Sequence, residues 1–213
     1  MQNSTSNCKK TIYLIRHGQT DFNKQGIVQG SGVDSDLNSE GQEQASKFYK
    51  AYNHIPFEKI YVTELKRTHQ SVLPFREKNI PIEIIPEFNE INWGILEGKV
   101  PNDENTKTFL SILDKWRNNE LNVCIENGET PLEMFERQKN GLTKILESNH
   151  ETILICMHGR AMRSFLCLLT GTELRKMDEF AHDNLCLYVL QETEKNKFQI
   201  LLHNHQDHLT LNA

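Results

Sequence analysis

The stretch "TIYLIRHGQTDFN", Thr11–Asn23, places an arginine and a histidine directly after a short apolar run. The run "TIYLI" (11–15) reads as a strand with side chains to bury on both faces. Arg16 and His17 at its end are groups that water solvates well, and burying them without partners is costly. Gly18 then lets the backbone turn sharply and bring its N–H groups close to a ligand.

The same pattern recurs late in the chain. "TILICM" (152–157) is apolar enough to be buried on both faces, and His158-Gly159 follow it. Between and around these two strands, apolar runs alternate with amphipathic stretches. "EQASKFYKAYN" (43–53) reads as a helix, capped by Asn38 or Ser39. "KIYVT" (59–63) reads as a strand, "LKRTHQSVLPF" (65–75) as a helix and "IEII" (82–85) as a further strand. Thr130-Pro131-Leu132-Glu133 is a capping box with proline at the first helical position, opening a helix over 131–148. "RAMRSFLCLLTG" (160–171) is a helix that Gly171 ends, and 185–193 with 197–204 form a closing antiparallel pair. Strands alternating with helices predict an α/β domain, three layers deep, with a mostly parallel central sheet. In such sheets the ligand lies beyond the carboxyl ends of the strands, where both His-Gly corners stand.

The remaining features bound the function. The chain has 213 residues, 37% hydrophobic and 25% charged, enough for a substantial core. No repeat or Gly/Ser linker divides it, so the expected organisation is a flexible tail at 1–10 and a single domain over 11–213. A net charge of −5 argues against a nucleic-acid binder. No run approaches the roughly 18 apolar residues that span a bilayer, and "MQNSTSNCKK" lacks the apolar core of a secretory signal. Cys8, Cys124, Cys156, Cys167 and Cys186 are odd in number, scattered and free of CxxC pairs, which fits a reducing, cytoplasmic setting.

Arg67 begins the helix after "KIYVT", and Glu90 follows "IEII", so both can reach the edge where the two histidines stand. The ordered set Arg16-His17-Gly18 with Thr20 and Asn23, Gln29-Gly30, Asp34 and Leu37, Gly41 with Gln44-Ala45, Arg67, Glu90 with Gly94, Glu97 and Gly98, Gly128-Glu129-Thr130, and His158-Gly159 resembles the histidine phosphatase superfamily. That group includes the cofactor-dependent phosphoglycerate mutases. The resemblance runs from about Thr11 to Leu209; Asp36 and Thr68 depart from it at packing positions.

The resemblance implies a phosphohistidine mechanism, and the residue types suit it. Arg16 and Arg67 offer planar donor forks for phosphate oxygens, with His158 as a third donor and Asn23, Gln29, Gly30 and Gly159 as further contacts. His17 attacks as a neutral imidazole, its second nitrogen held by an acceptor, expected to be a backbone carbonyl. Glu90 protonates the leaving oxygen and then activates water.

The family runs both hydrolysis and mutase transfer. The interval between Glu90 and His158 is short, and Lys99, Lys107, Lys115 and Arg117 are scattered among Asp103, Glu104, Asp114 and Glu120 with no paired arginines. The expected activity is therefore that of a metal-independent, histidine acid phosphatase-like phosphomonoesterase acting on a small phosphorylated substrate. A phosphoglycerate mutase and a non-catalytic phosphate-binding scaffold are the alternatives. Residues 99–127 are expected to cover the leaving group, with Trp93, Phe109 and Trp116 as a wall or as core. Arg160 and Arg163 stay open between pocket and surface. His203, His205 and His208 invite a metal reading, but no Cys or carboxylate cluster completes it. No metal, cofactor, nucleic-acid or membrane partner is expected, and a homo-oligomer is left open.

Overall fold

The computed structural model describes residues 9–194 and 196–210. Among these, six strands form one sheet: β1 (Thr11–Arg16), β2 (Lys59–Val62), β3 (Ile82–Ile84), β4 (Thr152–Met157), β5 (Leu187–Glu194) and β6 (Lys197–His205), in the order β3-β2-β4-β1-β5-β6. The first four are parallel; at one edge β5 pairs antiparallel with β1, and β6 antiparallel with β5. The sheet is mixed and mostly parallel, as the alternation of elements predicts.

Alternating side chains of the central strands feed two cores. Ile12, Leu14, Ile153 and Ile155 face one side with Phe165 and Leu166; Ile15, Leu154 and Cys156 face the other with Phe48 and Phe75. On the first side lie α4 (Asp103–Arg117), α5 (Pro131–Glu147) and α6 (Gly159–Thr170). On the second lie α2 (Ser39–Tyr52) and α3 (Lys66–Val72). Cys156, Cys167 and Cys186 are buried as small hydrophobes; Cys8 lies outside the described residues.

Helix ends follow their local chemistry. Thr130 and Glu133 exchange the two bonds of the capping box that opens α5, Asn38 caps α2, and Gly171 ends α6 at φ +71°. The helix expected over 65–75 divides instead. α3 stops at Val72, and Leu73–Lys78 wind as a tighter 3-10 turn, because Pro74 lacks an N–H and crowds the preceding turn. The strand expected at 82–85 is three residues of exposed edge.

Two helices near the cavity are not among the elements expected from the sequence. α1 (Asp21–Gln25) follows a capping box of Thr20 and Asn23. α4 is capped by Asn102 and buries Ile112, Leu113 and Trp116, with Phe109 packed beside them. Of the expected tail, residues 1–8 lie outside the described region. Lys10 is buried, and its ammonium donates to the carbonyls of Ser148 and His150, each at 2.6 Å. Among the described residues, no helix is long and apolar enough to cross a membrane.

Candidate active site

Register brings the two His-Gly corners together. β1 and β4 pair in parallel with Arg16 opposite Met157, and the His17 N–H donates to the Met157 carbonyl at 3.0 Å. The next residue of β1's chain is therefore beside the next residue of β4's, and the rings of His17 and His158 lie 5.3 Å apart.

His17 is 3% exposed. Its Nδ1 lies 2.7 Å from the Gly18 carbonyl, which can only accept, so Nδ1 carries the proton and the Nε2 lone pair is free. Burial, then the charges of Arg67 and Arg16, hold its pKa well below 6.5. The ring is thus neutral and in one tautomer, held by a backbone carbonyl as expected. Ser71, on α3, straps the corner: its hydroxyl accepts from the Gly18 N–H at 2.9 Å and donates to the Arg67 carbonyl.

Arg16 donates Nη1–H to the His182 carbonyl at 2.7 Å, while its Nε is buried without a partner among the described residues. An orphan donor on a guanidinium in a cavity wall is a group from which an anion could accept a hydrogen bond. Arg67 serves differently. It is fully buried behind the cavity, with Nη1 donating to the Val33 carbonyl, Nη2 to that of Gly30, and Nε to His158 Nδ1 at 3.2 Å. His158 is also fully buried and pairs its Nε2 with Thr63 Oγ1 at 2.9 Å. Both ring nitrogens of His158 are thereby partnered within the protein, so in this arrangement it supports Arg67 rather than offering a third donor to an anion. Burial, then Arg67, keeps it neutral.

Glu90 is 6% exposed and lines the same cavity as His17 and Arg16. Its Oε1 accepts from the N–H groups of Ile91 and Ala161, and its Oε2 from that of Arg160. The carboxylate thus caps the start of α6, where His158 makes no side-chain cap. Oε2 makes one of these bonds, so among the described residues it is the oxygen with spare capacity.

The cavity has a volume of about 350 Å³, within the range of small-molecule sites. Asn23, Gln29 and Gly159 line it. Gly30 does not. Its carbonyl serves Arg67, and a Cβ there would meet Glu97 Oε1 at 1.8 Å, so this glycine exists for the close approach of Glu97. The segment after Lys99 covers one side, with Pro101, Asn105, Thr106 and Phe109 facing in. Trp93 joins them, whereas Trp116 is core, its indole N–H bonded to the Val123 carbonyl. Arg160 lines the cavity over the faces of Trp93 and Trp116, while Arg163 turns to Asp178 and the Phe180 carbonyl.

Four residues were not found in the sequence: Ser71, Thr63, His182 and Asn184. Asn184 donates to the His17 carbonyl and to Asn23 Oδ1; His182 is part of the cavity wall. No spacing rule links 182–184 to 16–23, because the antiparallel return of β5 joins them only in space.

Phosphoserine phosphatase 1 of Hydrogenobacter thermophilus is 26% identical over 186 residues, which cover 86% of this chain and 87% of that one. The adenosylcobalamin/alpha-ribazole phosphatase of Escherichia coli is 26% identical over 189 residues, covering 86% and 91%. The crystal structure of the alpha-ribazole phosphatase from Shigella flexneri shares the fold, with a TM-score of 0.78 at 23% identity over 92% of this chain and 96% of that one. A family model spans residues 12–206, from the second residue of β1 to just past β6, and by that match the chain belongs to the histidine phosphatase superfamily, branch 1.

Proposed function

We propose that this protein is a phosphomonoesterase that carries its phosphoryl group on Nε2 of His17. The observation that carries the reading is the pairing of a neutral His17, its Nδ1–H spent on Gly18, with an Arg16 whose buried Nε has no partner in the same cavity. A nucleophile with its lone pair free and an unsatisfied cation beside it are what phosphoryl transfer asks of a protein.

In the first step Nε2 bonds to phosphorus, the P–O ester bond breaks, and Glu90, entering the cycle protonated, gives its proton to the leaving oxygen. Water then attacks phosphorus, Glu90 takes a proton from it, and the N–P bond breaks to release phosphate and neutral His17. Arg16 holds the phosphoryl oxygens throughout. Arg67 and His158 act from behind, as a buried cation and the imidazole that orients it. Asn23, Gln29 and Gly159 edge the phosphoryl site, and the segment 99–127 serves as the cover over the leaving group. No step calls for a metal or a cofactor.

Transfer to a second substrate, as in a mutase, has less support. Of the cations in 99–120, Lys99 alone lines the cavity, and Arg117 is engaged with Asp114 and Asp178. The leaving group is a small organic one that tolerates Ile27, Leu96, Trp93 and Phe109 as neighbours. Likeness assigns no particular ester, since two relatives of equal identity are named for different ones.

The test is hydrolysis of p-nitrophenyl phosphate in EDTA by the wild type and by His17→Ala. Base-quenched wild-type reactions are then examined by intact-protein mass spectrometry for a phosphoryl adduct. Turnover in EDTA, an adduct on the wild type and loss of both in the variant are expected. Turnover that survives His17→Ala, or that needs added metal, would overturn the mechanism.

A further inference from the structure

We propose that His182 is a further substrate-binding residue: a third imidazole of the site, donating a ring N–H to the phosphoryl group held by Arg16. The inference rests on the phosphatase reading above and adds a residue to it.

Three observations converge. His182 lines the cavity together with Arg16, His17 and Gly159. Its ring lies against Gly159, where an added Cβ would meet Cδ2 at 3.1 Å and Nε2 at 3.2 Å, with the orphan Nε of Arg16 3.5 Å from the same point. The imidazole and the unsatisfied guanidinium donor therefore flank one spot, and the absence of a side chain at 159 keeps it open. Lastly, neither ring nitrogen of His182 bonds to any described residue, and neither is sealed from the cavity. The other two imidazoles differ: His17 spends Nδ1 on Gly18, and His158 spends both nitrogens on Arg67 and Thr63.

A ring whose nitrogens are open to the cavity and committed to no described residue is free to bond a ligand there. Burial, then Arg16, Arg163 and Arg160, push its pKa down to about 2, so the ring is neutral, with one N–H to give and one lone pair. Those cations set a local field that draws an anion, and an N–H is the group an anion accepts from. The His182 main-chain carbonyl separately anchors Arg16 Nη1 at 2.7 Å. A side-chain substitution leaves that anchor in place, so the ring's own part can be isolated.

The experiment measures KM for p-nitrophenyl phosphate and competitive inhibition by inorganic phosphate in wild type, His182→Phe and His182→Gln. Phenylalanine keeps a ring over Gly159 without a donor; glutamine keeps a donor without the ring. His182→Phe is expected to weaken phosphate binding and raise KM roughly tenfold, and His182→Gln to stay within about threefold of wild type. Wild-type phosphate binding in the Phe variant, or equal loss in both variants, overturns the proposal. In the wild type itself, the ring nitrogen NMR signals assigned to His182 by their loss in His182→Gln shift on addition of phosphate. Signals that do not move also overturn it, whether or not the Phe variant folds. An inactive wild type refutes the phosphatase reading; an active wild type with an unaffected Phe variant refutes only the role of His182.

Discussion

Arg67 donates its Nε–H to Nδ1 of His158 across 3.2 Å, with both side chains fully buried. That bond decides the tautomer of His158, because an Nδ1 that accepts leaves the proton on Nε2 for Thr63. It also explains how the protein keeps a guanidinium in its core. Burial lowers the pKa of Arg67 to about 10, still far above neutrality, and two carbonyls and an imidazole take up its donors. The charge pushes down the pKa of both His17 and His158.

Arg67→Met removes the charge and strands the carbonyls of Gly30 and Val33 along with His158 Nδ1. Unpaired buried acceptors cost about 1–3 kcal/mol each before relaxation, so stability in urea is expected to fall by ~3 kcal/mol or more. The kcat should fall by about 100-fold or more, as for loss of a group that stabilises transferring charge. A variant as stable and as active as wild type would refute this role for Arg67.

Acid should unfold the protein early. His17, His158 and His208 all have pKa values below 6.5 in the fold, that of His208 lowered to about 4 chiefly by burial. Between the folded and unfolded pKa values the unfolded chain binds protons that the native state does not, so stability falls as pH drops below about 6.5. Each buried histidine adds at most ~1.4 kcal/mol per pH unit to that slope. Urea midpoints measured from about pH 7.5 to 5 check the sign, and His208→Gln should visibly flatten the slope.

Gly30→Ala is expected to damage the fold rather than phosphate binding alone. Its Cβ would meet Glu97 Oε1 at 1.8 Å and the Ile91 carbonyl at 2.6 Å. Glu97 would have to release the Trp93 N–H, which it holds at 2.9 Å, and the backbone after Glu90 would have to move. Overpacking of this kind costs ~1–3 kcal/mol. A fall in thermal midpoint together with a fall in kcat checks it; unchanged stability with a raised KM would instead restore Gly30 as a substrate contact.

Asp178 gathers three arginines from two helices: Arg160 and Arg163 of α6 on Oδ1, and Arg117 of α4 on Oδ2. Asp178→Asn leaves their charges crowded and frees both the end of α4 and the guanidinium over Trp93 and Trp116. Stability is expected to fall by ~1–3 kcal/mol. KM should rise more than kcat falls, because the wall of the cavity moves while His17 and Glu90 keep their own bonds. Steady-state kinetics beside a urea melt check it, and a fall in kcat at unchanged KM would count against it.

The sequence alone determined the sheet and its two His-Gly corners. The apolar runs at 11–15 and 152–157, each followed within two residues by a histidine and then by a glycine, carry their meaning locally through burial and turn chemistry. The capping box at Thr130 and the stop at Gly171 were legible for the same reason. α4 too is written in the spacing of Phe109, Ile112, Leu113 and Trp116, although the same aromatics suit the wall of a pocket equally well. Only the tertiary structure decided what each polar group does. It sent Arg67 and His158 behind the cavity, turned Gly30 from a contact into a packing site, and brought His182 and Asn184 from the far end of the chain to the side of Arg16 and His17. Hydrophobic periodicity records which face of an element is buried; it holds no record of which distant strand pairs beside it, and the partners of a buried donor are settled by that pairing.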